Sequence, residues 1–350
     1  MKWTFKIIYS LSDENIISLR QIYAHSNYKS FHQDPDWIYC NPEKIPVLLV
    51  LNQANEIIAY TAVGIKPFRT INISFGPVTN KNDEYALMIN EMVKWLKKKF
   101  WWRLTLQLPM PLDSNTDLIL TRIRNSSKFR QSDSFFNWKT AWLNLDQEPE
   151  QLFLSFSNQH RKSIEKSLKS GLSYKIITDI NKAEDLANLH MAMYKKRRLP
   201  INEQKNKLLI LSLFKFLQQS GKGFMLAVEM EEQLLGGVVI VFQGNVAYYY
   251  LGASTTEKKK RTIPILYGAF FDIIRLCREY KIGVLDFGGL PANELPGSQL
   301  YNINRFKLGF GGFPVHYPPQ LVFDLIPVLS RTIEQGIVLR NFIRERKHKK

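Results

Sequence analysis

The alternation of hydrophobic and polar positions along the first half predicts a mixed succession of strands and helices. A strand over residues 3–9 is followed by a helix over 13–24, and two strands, 47–52 and 57–65, flank the turn NQANE. The segment INISFGPVT reads as a strand that ends in Gly76-Pro77, and apolar residues at helical spacing predict a helix over 84–100. The short alternating segment RLTLQLP closes this series as a strand.

The second half repeats this order after a basic helix predicted over 149–169. A strand over 173–178 and helices over 180–197 and 203–219 lead to the strands FMLAVEM, LLGGVVIVF and NVAYYYLGAS. A helix over 264–280 begins with Pro264, where a missing N–H costs nothing, and VLDFGG follows it as a strand. We also expect the segment YNINRFKLGFGG to form a strand flanked by glycines.

The recurrence of hairpin, strand, helix and strand predicts a duplication. The expected fold class is α/β with mixed sheets, in two related domains spanning 1–145 and 146–325, each with a splayed central pair of parallel strands. Residues 326–350 predict a basic amphipathic helix or tail, which fits either anionic lipid or a docking helix with a solvated end.

Composition narrows the function. The 350 residues carry a formal net charge of +17, which favours nucleic acid, anionic lipid or phosphate-bearing ligands, with a general solubility role as the alternative explanation. Two distant cysteines and histidines without HxH or HExxH spacing predict neither a disulfide scaffold nor a metal site.

The N-terminus shows no signal-peptide pattern and no long apolar run occurs, so the expected location is cytoplasmic, with the inner membrane surface as a further candidate.

The residues that remain predict direct transfer at a positioned site in the second half. Tyr250 lies near the end of a strand, with Tyr249 on the opposite face by alternation, and Lys259, Lys260 and Arg261 precede a helix N-terminus that attracts phosphate. Lys307, beside Phe306, places an ammonium in a partly apolar setting where it would stabilise an oxyanion. The same spacings also fit a solvated loop of lysines and a lysine that snorkels from a strand edge.

Several strings in the same order resemble the FemABX family of peptidyltransferases. These strings are FHQDPDW, ISFGPV, HRKSIEKSLKSGL, YYYLGAS and, after DFGG, YNINRFKLGFGG. The resemblance spans about residues 30 to 315 and implies two tandem GNAT-type domains. It also implies aminoacyl transfer from a charged transfer RNA to an amine on a cell-wall precursor.

The resemblance also implies roles for individual residues. Lys307 takes the position of a lysine that acts at the transfer centre, and we group it with Phe306 and Asp286 as the candidate catalytic residues. Tyr250, Tyr194, Arg197 and Trp37 are the nearest candidates for holding the acceptor. Two departures from the family pattern leave acceptor and donor open: Ile38 and its neighbours replace a lysine after the early tryptophan, and the GNAT pyrophosphate loop is not reproduced over 260–268.

Three functions therefore stay open. The first is a non-ribosomal aminoacyl- or acyltransferase acting on an anionic or lipid-linked cell-envelope precursor, with no permanently bound cofactor and with aminoacyl-tRNA or acyl-CoA as donor. The second is an acyl-CoA-dependent N- or O-acyltransferase of an envelope polysaccharide. The third is a non-catalytic protein that binds membrane or nucleic acid on a decayed transferase fold.

Overall fold

The computed structural model describes residues 3–132, 139–197, 202–257, 262–291, 298–332 and 335. The chain divides into two compact units. Residues 1–39, 43–134 and 317–350 form the first, and residues 40–42 and 135–316 form the second. The mixed α/β fold class with two tandem domains that the sequence predicts is confirmed.

The first unit holds two sheets. Its helices are α1 (Asp13–His25), α2 (Pro35–Cys40), α3 (Tyr85–Lys98) and α4 (Ser114–Ser126). Its strands are β1 (Thr4–Ile8), β2 (Val47–Leu51), β3 (Ile57–Ala62), β4 (Gly64–Lys66), β5 (Thr70–Ile73), β6 (Val78–Thr79), β7 (Arg103–Leu106), β8 (Arg130–Gln131) and β16 (Leu321–Asp324). The sheet orders are β1-β2-β3-β6 and β4-β5-β7-β16-β8, and the pair β5–β7 is parallel.

Among its described residues, the second unit is built on a seven-stranded sheet of order β10-β11-β12-β13-β14-β9-β15. Its strands are β9 (Lys139–Asn144), β10 (Ser173–Ile176), β11 (Gly223–Met230), β12 (Gln233–Gln243), β13 (Val246–Ser254), β14 (Val284–Gly289) and β15 (Phe313–His316). Its helices are α5 (Pro149–Ser155), α6 (Asn158–Leu168), α7 (Ile180–Lys196), α8 (Glu203–Ser220), α9 (Ile265–Glu279) and α10 (Gln299–Leu308).

The core of the second unit lies between α9 and the central strands. Helix α9 buries Ile265, Ala269, Phe270, Ile273 and Ile274, which recur at helical spacing. Strands β11 and β12 are apolar along nearly their whole length, as expected for strands covered on both faces.

Two segments cross the domain boundary predicted near residue 145. Strand β9, predicted in the first domain, pairs with β14 and β15 in the second unit. Strand β16, predicted in the second domain, pairs with β7 and β8 in the first unit. Each of these strands lies between two strands of the sheet it joins, so position along the chain does not decide its pairing.

Two local predictions were wrong. The helix expected over 149–169 is divided into α5 and α6 by Phe156 and by Ser157, whose hydroxyl caps the start of α6. The segment that carries Lys307 is a helix rather than a strand. Ser298 caps the N-terminus of α10, and the helix ends at Gly309.

Candidate active site

The central parallel strands of the second unit separate at one end. Strands β13 and β14 pair from Val246 and Val284 as far as Tyr248 and Asp286, and the paired register ends there. A bulge in β13 at Tyr250 shifts the register with β12, and Gly288 has a φ of +77°, a conformation that favours glycine. The predicted splayed pair is therefore present in this unit.

Asp286 lies at the point where the strands part. Its side chain is 1% exposed. One carboxylate oxygen accepts a hydrogen bond from the Gly288 N–H at 2.7 Å, and the other accepts one from the indole N–H of Trp142 at 3.0 Å. Burial raises the pKa of the Asp286 carboxyl to about 6, although these two donors and the charge of Lys307 act to lower it. Near pH 7 the group is therefore mainly an anion held in a fixed orientation.

Lys307 reaches the same point from α10. Its Nζ donates a hydrogen bond of 2.6 Å to the carbonyl oxygen of Gly289. A Cβ atom placed on Gly288 would lie 3.8 Å from this Nζ, so the ammonium stands directly beside the open strand end. Burial lowers the pKa of Lys307 to about 8, and the charge of Asp286 opposes the shift. Between about pH 6 and pH 8 the site holds a carboxylate and an ammonium together.

Phe306 belongs to an aromatic cluster that fixes this part of α10. Its ring centroid lies 5.1 Å from Tyr267, 5.4 Å from Phe270 and 5.3 Å from Phe310, each in an edge-to-face arrangement. Such pairs contribute about 0.5–1.5 kcal/mol each beyond their burial. The cluster anchors the residue that directly precedes Lys307.

His160 of α6 supports the same turn of α10 through its backbone. The ring Nε2 lies 2.9 Å from the Phe306 carbonyl oxygen, and Nδ1 lies 2.8 Å from the Ser157 hydroxyl. Burial lowers the pKa of His160, so the neutral ring donates from Nε2 and accepts the Ser157 hydroxyl proton at Nδ1. His160 and Trp142 are supporting residues that the sequence did not single out, because neither lies near Lys307 along the chain.

The corresponding parallel pair in the first unit stays closed. Beyond the β5–β7 pairing, the Gln107 N–H donates to the Ile73 carbonyl at 2.9 Å, and the Gly76 N–H donates to the Gln107 carbonyl at 3.2 Å. The predicted splay is thus bridged by backbone hydrogen bonds here. The open strand end that suits a transfer reaction belongs to the second unit.

Comparisons with known proteins agree with this assignment. Residues 155–302, which include Asp286 and His160, match the model of the acetyltransferase (GNAT) domain family. The matched residues lie within the second unit and end shortly before Lys307. The protein is therefore a transferase.

The fold extends this similarity over nearly the whole chain. The structure of FemX matches with a TM-score of 0.71 at 14% identity, covering 94% of this chain and all of that one. The C-terminal domain of a putative lysylphosphatidylglycerol synthetase from Agrobacterium fabrum matches with a TM-score of 0.58 at 12% identity, covering 93% and 96%. A tandem GNAT protein of the clavulanic acid pathway matches with a TM-score of 0.54 at 11% identity, covering 92% and 98%. No curated protein sequence matches the chain significantly.

These matches confirm the FemABX-like, GNAT-type fold expected from the sequence motifs. At identities of 11–14% the solved structures establish the fold alone. The chemistry has to be argued from the residues of this chain.

Two of the predicted acceptor residues, Tyr194 and Arg197, lie near Tyr249 of β13. Burial raises the pKa of Tyr249 to about 12, while the charge of Arg197 acts to lower it and Tyr194 acts to raise it, which places these groups near one another. Tyr194 packs on His190 with ring centroids 4.6 Å apart. Tyr250, the next residue along the strand, is half-buried at the bulge of β13, and its role in holding the acceptor stays a prediction.

The remaining predicted binding residues lie elsewhere. Trp37 is in α2 of the first unit, where its ring stacks on Phe31 at 5.3 Å and is 3% exposed. The structure thus gives it a core environment and little surface for a ligand, and its role in binding stays a prediction. Lys259, Lys260 and Arg261 lie outside the described residues, so their role also stays a prediction.

A cavity of about 220 Å³ opens between the end of β13 and the start of α9. It is lined by Ser254, Thr255, Ile263, Pro264, Tyr267 and Phe306, among others. Phe306 and Tyr267 also belong to the aromatic cluster next to Lys307. The cavity therefore borders the aromatic cluster that precedes Lys307.

The described ranges contain neither a cluster of metal-binding side chains nor a membrane-spanning helix. No group of three or more histidine, cysteine, aspartate or glutamate side chains in them is arranged to hold a metal ion. No helix in the described part of the chain is both long and apolar enough to cross a membrane.

Proposed function

We propose that the protein transfers an aminoacyl group from an activated donor to an amine on an anionic cell-envelope precursor. The aminoacyl- or acyltransferase class follows from the GNAT domain, and the finer assignment is our proposal. The observation that carries it is the Lys307 ammonium, fixed beside the open end of β13 and β14. A preorganised cation at such a position stabilises negative charge that develops on a carbonyl oxygen.

The chemistry needs no covalent enzyme intermediate. The acceptor amine attacks the carbonyl carbon of the donor, a C–N bond forms, and the carbonyl oxygen becomes an oxyanion beside Lys307. The bond to the donor's ester oxygen or thioester sulfur then breaks, and a proton lost by the amine is taken up by the leaving group. Asp286 holds negative charge near Lys307, which counteracts the loss of its proton in this partly buried site.

Charge supports an anionic donor and acceptor. The chain carries a net charge of +17, and four consecutive cations, Lys258 to Arg261, precede the N-terminal end of α9 in sequence. Helix N-termini and nearby lysines together favour phosphate. One solved structure of the same fold is named as a lysylphosphatidylglycerol synthetase, a name that pairs an amino acid with an anionic lipid.

A second candidate is acyl-CoA-dependent acylation of an envelope polysaccharide. The match to an acetyltransferase family model favours it, and so does the cavity between β13 and α9, which suits a narrow thioester arm. The same Lys307 would serve both reactions, since the oxyanion is common to them. Only the donor and acceptor distinguish the two.

A panel of donors and acceptors tests the proposal. Purified protein would be mixed with lysyl-, alanyl- and seryl-tRNA or with acetyl-CoA, each against a nucleotide-linked precursor, a lipid-linked precursor and a polysaccharide, and the products weighed by mass spectrometry. We expect a precursor to gain one aminoacyl mass with release of uncharged tRNA. Mass gain only with acetyl-CoA would select the second candidate, and no gain with any pair would contradict both.

Donor binding should weaken steeply with salt. Because lysines that neutralise phosphates release counterions on binding, the logarithm of the affinity falls linearly with the logarithm of salt, with a slope near −0.7 to −0.9 for each phosphate contacted. Titration of labelled donor between 50 and 200 mM salt, roughly the range over which the effect is strong, measures this slope. Changing Lys259, Lys260 and Arg261 together to glutamine should flatten it, whereas a flat slope in the unmodified protein would contradict an ionic donor site.

A further inference from the structure

Two neighbouring segments of the first unit expose aromatic rings among lysines. The first, residues 65–69, includes the end of β4 and the turn to β5. The second, residues 97–102, includes the last residues of α3 and the connection to β7. We call the two segments together the aromatic–basic patch. Phe68 is 63% exposed and Phe100 is 69% exposed. The two segments, IKPFR and KKKFWW, contain five cations and no acidic residue.

Direct contacts join the two segments into one surface. The Phe68 and Trp102 rings stack with centroids 5.9 Å apart, and the Arg69 guanidinium lies 5.6 Å from the Trp101 ring. Arg69 also donates a hydrogen bond of 2.7 Å to the carbonyl of Lys99, and its own carbonyl accepts one from the Trp102 N–H at 3.0 Å. The patch is thus an ordered feature of the fold.

Both exposed phenylalanines occupy backbone positions that favour glycine. Phe68 has a φ of +59° at the tip of the β4–β5 turn, and Phe100 has a φ of +57° directly after the C-cap of α3. A turn or a helix end selected for stability alone would carry glycine there. Here the sequence places a bulky apolar ring at each position, against the local preference and in contact with solvent.

Described residues near the C-terminus, 325–332, contact the edge of the same patch. The carbonyl of Trp102 accepts hydrogen bonds from the N–H groups of Leu325 and Ile326, and the hydroxyl of Ser330 donates to it at 2.6 Å. Residues 327–332 are helical, with Val328 74% exposed. The sequence beyond them, up to the final RERKHKK, adds further positive charge.

We propose that this patch docks the protein on the surface of an anionic lipid bilayer. Exposed aromatic rings enter the boundary between headgroups and acyl chains, while flanking lysines and arginines bind anionic headgroups. A nucleic acid would use open ring faces for stacking, but one face of Phe68 is already covered by Trp102. The proposal concerns a surface separate from Lys307 and does not depend on the identity of the donor.

Vesicle sedimentation tests this inference with full-length protein. Vesicles of phosphatidylcholine alone are compared with vesicles that also contain phosphatidylglycerol, and we expect binding chiefly to the second. Changing Phe68→Gly and Phe100→Gly together should lower the partition coefficient by about tenfold, since two apolar anchors are lost. Glycine accepts both backbone conformations, so these variants should fold at least as well as the wild type.

Variants of the patch lysines test the role of charge, and changes at other exposed residues serve as matched controls. Lys97→Gln, Lys98→Gln and Lys99→Gln together should abolish the preference for anionic vesicles, whereas the triple change of the exposed Lys162, Lys166 and Lys169 to glutamine should leave it unchanged. Phe313→Ser removes a comparably exposed phenylalanine in the second unit and should also leave it unchanged. Lys307→Met should bind vesicles like the wild type, which separates docking from catalysis.

Two results would contradict the docking proposal, and a third would assign the patch to a different ligand. Unchanged vesicle binding in the Phe68→Gly, Phe100→Gly variant with intact folding would overturn the proposal, as would equal losses in the Phe313→Ser control. Loss of transfer RNA binding, measured by fluorescence anisotropy, without loss of vesicle binding would assign the patch to nucleic acid instead.

Discussion

Replacing Lys307 with methionine is expected to lower the single-turnover rate of transfer by about 100- to 1000-fold, equivalent to roughly 3–4 kcal/mol of lost transition-state stabilisation. The Nζ group stands beside the open end of β13 and β14, where the oxyanion is expected to form. Methionine keeps most of the length and apolar bulk of the lysine stem, so the packing of this part of α10 should survive. Rates are measured with saturating donor, beside a thermal melt.

Binding measurements separate the possible roles of Lys307. Stabilisation of charge that develops only in the transition state leaves donor affinity nearly unchanged, whereas a contact to a donor phosphate lowers affinity together with rate. Lys215→Met, an exposed lysine on α8, is the matched control and should transfer at the wild-type rate. A Lys307→Met protein that transfers at nearly the wild-type rate would show that the catalytic assignment is wrong.

Replacing Gly309 with alanine is expected to lower the free energy of unfolding by about 3 kcal/mol, at the upper end of the usual cost of overpacking. Its added Cβ would lie 1.9 Å from the Cε1 atom of the His160 ring. That ring is held by Ser157 and by the Phe306 carbonyl, and it packs edge-to-face on Phe310, so it has little room to move. Any shift of α10 that relieves the clash also displaces Lys307, and the transfer rate should fall as well.

A double variant tests whether His160 is the obstacle. Adding His160→Ala to Gly309→Ala removes the ring and should recover part of the lost stability, so the two effects should not add. Gly289→Ala is the control for the melt, because a Cβ there has no neighbour within 4 Å and its change should stay within about 0.5 kcal/mol. Wild-type melting of the Gly309→Ala protein would contradict the packing described at the end of α10.

Most elements could be predicted from the sequence, because each rests on local periodicity. Helix α9 begins next to Pro264 and buries one apolar face, and the hairpin of β11 and β12 turns at Glu231 and Glu232, both with positive φ. The sequence predicts a strand in place of helix α10, because glycines at 309, 311 and 312 are typical of a strand boundary. The helix signals were the Ser298 cap and the spacing of Ile303, Phe306 and Phe310.

The candidate site could be predicted only in part. Lys307, Phe306 and Asp286 come together as expected from the motif, but the groups that hold them, Trp142 and His160, lie about 150 residues away along the chain. Contacts of that range depend on which sheet edge accepts β9 and on where α6 packs, and no local pattern encodes either. For the same reason, no local pattern predicts that β9 joins the sheet of the second unit or that β16 joins a sheet of the first unit.

The measurement that tests the central claim most directly is the ratio of the wild-type transfer rate to the Lys307→Met rate as a function of pH. Ionisation of the acceptor amine affects both proteins alike and cancels in this ratio. The pKa of Lys307 is lowered to about 8, and its charged form is the one that stabilises an oxyanion, so the advantage is present below that pH and is lost as pH rises through it. We predict a constant ratio near pH 7 and a decline approaching tenfold per pH unit above about pH 8. A ratio close to one throughout, or a large ratio that stays constant to pH 10, would contradict the assignment of the Lys307 ammonium as the catalytic charge.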